Sequence, residues 1–193
     1  MKQLLFATHN PGKLNEAQQI LDAYQVVSAS EYNISDVPET GSTFLENAMI
    51  KARHASQFTD LPIFSDDSGL EIDALNGRPG IYSARYNITN DFCANMARVM
   101  TELKQVPQAL RTARFRIVVV YLRHQNDPKP ICIDASWEGS IVMDTYPKTP
   151  GFGYDPIFWV PEQQKTASEL PKELKNKISH RGQALTLLAE QLD

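Results

Sequence analysis

The chain has 193 residues, is 42% hydrophobic and 22% charged, and carries a formal net charge of -4 with a sequence pI near 5.6. That length fits one domain over residues 1–193, with two lobes at most, able to bury roughly 70% of its unfolded surface. The acidic balance argues against a general nucleic-acid binder, which presents a basic face, although a few placed lysines can still hold a triphosphate. Cys93 and Cys132 show no paired spacing, which argues against a disulfide framework or a zinc site and for a reducing compartment. The opening run Met1 to Thr8 is too short for a signal peptide and nothing approaches a membrane span, so a cytoplasmic location is expected.

In chain order, Gln3 to Thr8 reads as a buried strand, His9-Asn10-Pro11-Gly12 as a turn, and Lys13 to Ala23 as a helix. Val26 to Ser28 is a second strand, and Asn33 to Ser42 a loop carrying Asp36, Glu39 and Gly41. Thr43-x-x-Glu46 predicts a capping box in front of an apolar series at Phe44, Ala48, Ala52 and Ala55. Ile63 to Ser65 and Leu70 to Ile72 read as two strands flanking an acidic turn at Asp66-Asp67. A glycine- and proline-rich loop (Asn76 to Gly80) precedes a helix from Asn90 to Lys104. Ala113 to Arg123 and Ile131 to Ile141 predict a long antiparallel hairpin around Gln125-Asn126-Asp127-Pro128. A breaker-rich loop (Pro147 to Gly153), a short strand (Ile157 to Val160) and helices over Lys172 to Lys177 and Gly182 to Leu192 complete the chain. Strands alternating with helices, plus one hairpin, predict an α/β fold with a mixed central sheet.

Asp66 and Asp67 are the chemically most informative pair. Two adjacent carboxylates at a strand end repel unless a cation lies between them, and such oxygen-rich sites suit Mg²⁺; a plain polar turn reads equally well. Thr8-His9-Asn10-Pro11-Gly12-Lys13 follows a strand and opens a helix, so its N–H groups and Lys13 outline an anion cradle. It is not a Walker A loop, and an ordinary strand–turn–helix junction accounts for it. Glu46 is explained by capping, whereas Glu39 has no structural duty and could complete a metal site with Asp67. Lys51 on a helix is most simply a solvated lysine. In Gly151-Phe152-Gly153-Tyr154-Asp155-Pro156 the glycines could expose Phe152 for stacking on a base, worth about 1–3 kcal/mol, or the ring could pack inward. Lys175 and Ser179-His180-Arg181 precede the last predicted helix, where His180 and Arg181 offer donors to a carbonyl or an anion.

Together these segments resemble the inosine triphosphate pyrophosphatase family, the Ham1-like pyrophosphatases of non-standard purine nucleoside triphosphates. The matching pieces are Ala7-Thr8-His9-Asn10 with Lys13 and Glu16, Glu39-Thr40-Gly41, Glu46-Asn47-Ala48 with Lys51-Ala52, and Asp66-Asp67-Ser68-Gly69-Leu70. They continue with Pro79-Gly80-Ile81-Tyr82-Ser83-Ala84-Arg85, Gly151 to Phe158, and Ser179-His180-Arg181. All run in the family's order from residue 7 to residue 181, and the chain is most similar to the bacterial dITP/XTP branch. His9 and Pro150 depart from it, standing where many bacterial members have glycine.

The resemblance implies two lobes flanking a substrate cleft, a homodimer, and Mg²⁺-dependent hydrolysis of ITP, dITP or XTP to the nucleoside monophosphate and pyrophosphate. It makes Asp67 the proton acceptor and a metal ligand, with Glu39 the second ligand. Thr8, His9, Asn10, Pro11, Gly12, Lys13 and Ser68 become substrate contacts at the phosphates, and Lys175 also matches a substrate-binding position. Phe152, Gly153, Tyr154, Asp155, His180 and Arg181 become the base pocket. Donors from Arg181 or His180 would satisfy the C6 carbonyl of hypoxanthine or xanthine and meet another donor in adenine, a mismatch that can discriminate by up to ~10⁵-fold. No residue in the sequence explains rejection of GTP near C2. A Maf-like nucleotide pyrophosphatase and a nucleotide-binding regulator without hydrolysis are the competing readings.

Overall fold

The computed structural model describes residues 1–87, 91–143 and 153–192. Seven strands are ordered β2-β1-β3-β4-β5-β6-β7 in one sheet: β1 Lys2–Phe6, β2 Tyr24–Ser28, β3 Ile63–Ile72, β4 Thr112–Leu122, β5 Ile131–Ile141, β6 Phe158–Val160 and β7 Lys165–Thr166. β1 pairs in parallel with β2 and β3, while β6 is antiparallel to β5 and β7, so the sheet is mixed as expected. β4 and β5 are neighbours joined by residues 123–130. Parallel neighbours need a crossover of about a dozen residues or more, so this connection makes a hairpin.

Contacts divide the chain into two compact units. The first comprises Met1–Asp67, Ile117–Ala135 and His180–Asp193. Its helices are α1 (Pro11–Ile20), α2 (Phe44–Ala55) and α5 (His180–Ala189). Because side chains alternate along a strand, its core has two layers. Leu4, Phe6, Phe64, Ile117 and Val119 pack with Ala17 and Leu21 beside α1 and with Ala184, Leu185 and Leu188 of α5. Leu5, Val27 and Ile63 pack on the other layer with Ala55 of α2. Phe6 and Phe64 stack at 4.2 Å between ring centroids, fixing β1 against β3 beneath the site. The hairpin turn is closed by buried Asp127, which accepts from Arg123 N at 3.0 Å and Lys129 N at 2.9 Å. Arg53 of α2 donates to the carbonyls of Gln125 and Asp127, both at 2.7 Å.

The second unit comprises Ser68–Arg116 and Ser136–Ser179, with helices α3 (Phe92–Glu102) and α4 (Lys172–Ile178). Its core gathers Leu70, Ile72, Val99, Phe115, Trp137, Tyr154 and Phe158.

Four local expectations change. Residues 63–72 form one unbroken strand, so Asp66 and Asp67 lie inside β3 and not in a turn. Helix α1 starts at Pro11, because Asn10 caps it and proline suits the first helical position. α5 likewise starts at His180, ahead of the expected Gly182. The capping box at Thr43 is half formed: Thr43 Oγ1 accepts from Glu46 N at 3.1 Å, but Glu46 Oε2 accepts from Ser42 N and Ser42 Oγ.

Candidate active site

β3 sends consecutive carboxylates to opposite faces, and the parity of its apolar residues says which. Phe64 belongs to the α1/α5 layer and Ile63 to the α2 layer. Asp66 therefore shares the α1/α5 side, where Lys13 Nζ donates to both its oxygens at 2.9 and 3.0 Å. Arg181 Nη2 reaches Asp66 Oδ2 at 3.3 Å, and Arg181 Nη1 donates to Glu16 Oε2 at 2.7 Å. The result is an alternating chain of charges, Glu16–Arg181–Asp66–Lys13, in a buried setting. Burying a lone carboxylate costs several kcal/mol, more than the roughly 1.5–3 kcal/mol a buried Phe contributes. Only such a cation pair makes Asp66 tolerable beside Phe64.

Asp67 shares the α2 side with Ser65, whose hydroxyl donates to Ala48 O at 2.6 Å. Asn47 Nδ2 donates to Asp67 Oδ2 at 3.0 Å, while Asn47 Oδ1 accepts from Gly41 N at 2.8 Å. Lys51 Nζ lies 2.7 Å from Glu39 Oε1 and 3.6 Å from Asp67 Oδ1. One ammonium thus faces both carboxylates expected to bind metal.

The electrostatics separate the two acids. Burial works against ionisation of Asp66, yet Lys13, Arg181 and Lys51 hold it well below the usual carboxylate range. Burial pushes Asp67 upward, and the charges of Glu39 and Asp66 add to that against the pull of Lys51 and Asn47. Burial also lowers Lys13, helped by Arg181 and Lys51 and opposed by Asp66. Lys51 is raised because Asp66, Asp67 and Glu39 outweigh the burial that lowers it.

The turn before α1 is more self-contained than an open anion cradle. Gly12 N and Lys13 N both donate to Asn10 Oδ1, at 2.8 and 3.2 Å, and Asn10 N donates to Thr8 Oγ1 at 3.2 Å. An N-cap residue satisfies its helix's first N–H groups, so the outward-facing donors expected at Gly12 and Lys13 are occupied. His9 lies between Ile34 O, 2.8 Å from Nε2, and Asp36 Oδ1, 2.6 Å from Nδ1. His180 and Arg181 occupy the first turn of α5, both buried. A cation there opposes the helix dipole, and the carboxylates of Glu16 and Asp66 offset it. Arg181 Nε is buried without a hydrogen-bond partner among the described residues.

The remaining expected contacts lie in the second unit. Ser68 follows Asp67 on β3. Gly153 adopts φ 62°, the left-handed region that suits glycine. Tyr154 is 2% exposed and part of the core, with its hydroxyl donating to Ser83 O at 2.8 Å. Asp155 is ion-paired with Lys175. Phe152 and Pro150 lie outside the described residues.

The sequence profile of the Ham1 family matches residues 4–191. The chain belongs to the Ham1 family. A HAM1 protein from Coxiella burnetii shares its fold with a TM-score of 0.91 at 44% identity, over 100% of this chain and 98% of that one. A Mycobacterium abscessus structure, described as a nucleoside-triphosphatase and dITP/XTP pyrophosphatase, gives 0.77 at 38% identity, over 96% and 98% of the two chains. A dITP/XTP pyrophosphatase of Xylella fastidiosa is 51% identical over 195 residues, covering 100% of this chain and 98% of its own. One from Vibrio parahaemolyticus is 49% identical over 196 residues, covering 100% and 97%.

Two residues of this Ham1-family site had no assigned role from sequence. Glu16 lies three residues after Lys13 on α1, a spacing that puts both on one helix face. Asn47 is wholly buried on α2 and joins Gly41 to Asp67. A polar residue inside the apolar series Phe44, Ala48, Ala52, Ala55 was the available signal. Lys51, expected to be solvated, is instead the cation between Glu39 and Asp67.

Proposed function

We propose that the chain hydrolyses deaminated purine nucleoside triphosphates (ITP, dITP and XTP) to the nucleoside monophosphate and pyrophosphate, clearing them from the nucleotide pool. The observation that carries this reading is the separation of two adjacent acids, Asp66 held ionised by Lys13 and Arg181, and Asp67 facing Asn47 and Lys51 with its pKa raised by burial. The names of the Xylella and Vibrio relatives agree with the substrate class.

In this reading Asp67 takes the proton of an attacking water. The water oxygen bonds to the α-phosphorus as the bond to the departing pyrophosphate oxygen breaks. Lys13 and Lys51 exchange part of their contact with Asp66 and Glu39 for the phosphates, and so stabilise the charge gathering on the leaving group. Asp66 keeps Lys13 and Arg181 oriented throughout. Arg181 and His180 are kept for the keto-purine, and Thr8 through Lys13 for the phosphates. Ser68, Phe152, Gly153, Asp155 and Lys175 keep the substrate-binding roles that the resemblance gives them, whereas Tyr154, buried and hydrogen-bonded to Ser83 O, supports that segment from the core.

The donor set fits Mg²⁺. Asp67 and Glu39 are hard oxygen donors that already face one cation, the Lys51 ammonium. Mg²⁺ is commonly bound through one or two carboxylates together with substrate phosphates. Held by Asp67 and Glu39, Mg²⁺ would neutralise charge on the triphosphate oxygens. The reading includes a cytoplasmic homodimer whose partner is nucleotide and not nucleic acid or membrane. The acidic net charge argues against nucleic acid as a partner; no described helix is long and apolar enough to cross a membrane.

Pyrophosphate release from ITP, dITP, XTP, GTP and ATP with Mg²⁺ tests the proposal. Deaminated purines should be preferred over ATP by kcat/KM. Equal cleavage of ATP and ITP would refute the assignment of the base contacts.

A further inference from the structure

The second unit contains a hydrogen-bonded node that the proposed chemistry does not use. Its centre is Ser83, in the short helical segment Gly80–Arg85. Ser83 Oγ accepts from Leu70 N at 2.8 Å and donates to Gly80 O at 2.6 Å. Gly69 permits this approach, since a Cβ there would stand 2.3 Å from Gly80 O and 2.6 Å from Ser83 Oγ. The Ser83 carbonyl accepts twice, from the Tyr154 hydroxyl at 2.8 Å and from Asn95 Nδ2 at 3.3 Å.

Asn95 is wholly buried on α3. It also donates to Ala84 O at 3.1 Å and accepts from Asn87 N at 2.5 Å. Each amide hydrogen and the amide oxygen has a partner, so Asn95 has little capacity left for a ligand. Tyr154 is similarly committed: its ring lies in the core and its hydroxyl is bonded, so it offers no face to a planar base. Yet its neighbours are the left-handed Gly153 and the ion-paired Asp155.

We propose that Tyr154 and Asn95 are positioning residues, which together fix the Ser83 carbonyl and through it hold Gly153 and Asp155 in place for nucleotide binding. The inference rests on the proposed function for the claim that Gly153 and Asp155 touch nucleotide. Losing either donor leaves the carbonyl one partner, so the fold survives while the segment around residue 153 loosens. Both donors act on one acceptor, and their effects on binding are therefore coupled.

The test compares wild type with Tyr154→Phe, Asn95→Ala and the double variant. Kd for ITP is read by equilibrium titration in EDTA, kcat and KM with Mg²⁺, and Tm alongside. Tyr154→Phe should raise Kd and KM about fivefold, the scale of one neutral hydrogen bond, and leave kcat within about twofold. Asn95→Ala should act in the same direction, and the double variant should fall short of the product of the two effects. A lowered Tm with unchanged Kd and KM would reduce the node to scaffolding and overturn the proposal. Effects that simply multiply would overturn the shared-carbonyl argument. Should Asn95→Ala fail to fold, an unchanged Kd in Tyr154→Phe alone overturns it. A wild type that binds ITP without hydrolysing it refutes the proposed function and leaves the Kd comparison decisive; a wild type that binds no ITP overturns both.

Discussion

Asp66 and Asp67 are neighbours on β3 whose carboxylates go to different partners: Asp66 to Lys13 and Arg181, Asp67 to Asn47 and Lys51. The alternation of a strand turns a repulsive acid pair into one structural anion and one candidate base. Replacing each should therefore damage the protein in a different way.

Asp66→Asn removes the only acid between Lys13 and Arg181 in the alternating chain of charges. Breaking a buried pair by deleting one partner costs about 3–5 kcal/mol, so Tm should drop well below that of Asp67→Asn. The pH dependence has a definite sign. Asp66 has a folded pKa below its unfolded value, so its contribution is fully present above an unfolded pKa of about 3.9 and is lost as pH falls below that toward the folded pKa. Acid denaturation followed by circular dichroism should thus show a shallower loss of stability in Asp66→Asn than in wild type. An identical acid limb in both would remove Asp66 from this role.

Asn47→Asp would place a second negative charge where an amide now donates to Asp67 at 3.0 Å. Like charges disfavour ionisation, so Asp67, already raised by burial and by Glu39, should rise further. A base must be deprotonated to act, so kcat/KM falls as pH drops through its pKa. The acidic limb of the pH profile for ITP should therefore move to higher pH in Asn47→Asp. Movement to lower pH, or none, would separate that limb from Asp67.

Glu39→Gln keeps the shape of the side chain and removes one of the two carboxylates facing Lys51. Losing one anionic oxygen donor should raise the Mg²⁺ concentration for half-maximal activity about tenfold or more. The same change takes a like charge away from Asp67, so at saturating Mg²⁺ the acidic limb should shift down. An unchanged Mg²⁺ requirement would exclude Glu39 as a ligand.

Local patterning carried much of the fold. The strand Ile131–Ile141 and the start of α4 at Lys172 stand where the sequence places them, because alternation and a preceding proline are local signals. The acidic stretch of β3 departs from the turn its composition predicts for a physical reason. Asp-Asp-Ser-Gly is turn chemistry by composition, and its extended conformation depends on cations 53 and 115 residues away, Lys13 and Arg181. No local window contains those partners. Asn47 was hidden similarly, since its partner Asp67 lies 20 residues on. Tyr154 stands in the base pocket by resemblance alone, and the tie of its hydroxyl to Ser83, 71 residues earlier, is likewise beyond any local window.

The most direct measurement is pyrophosphate release from ITP at saturating Mg²⁺ by wild type and Asp67→Asn, with ITP affinity measured in parallel. If Asp67 takes the water's proton, turnover should fall by about 10²–10⁴-fold while ITP still binds. Turnover near wild type in Asp67→Asn would contradict the account at its centre.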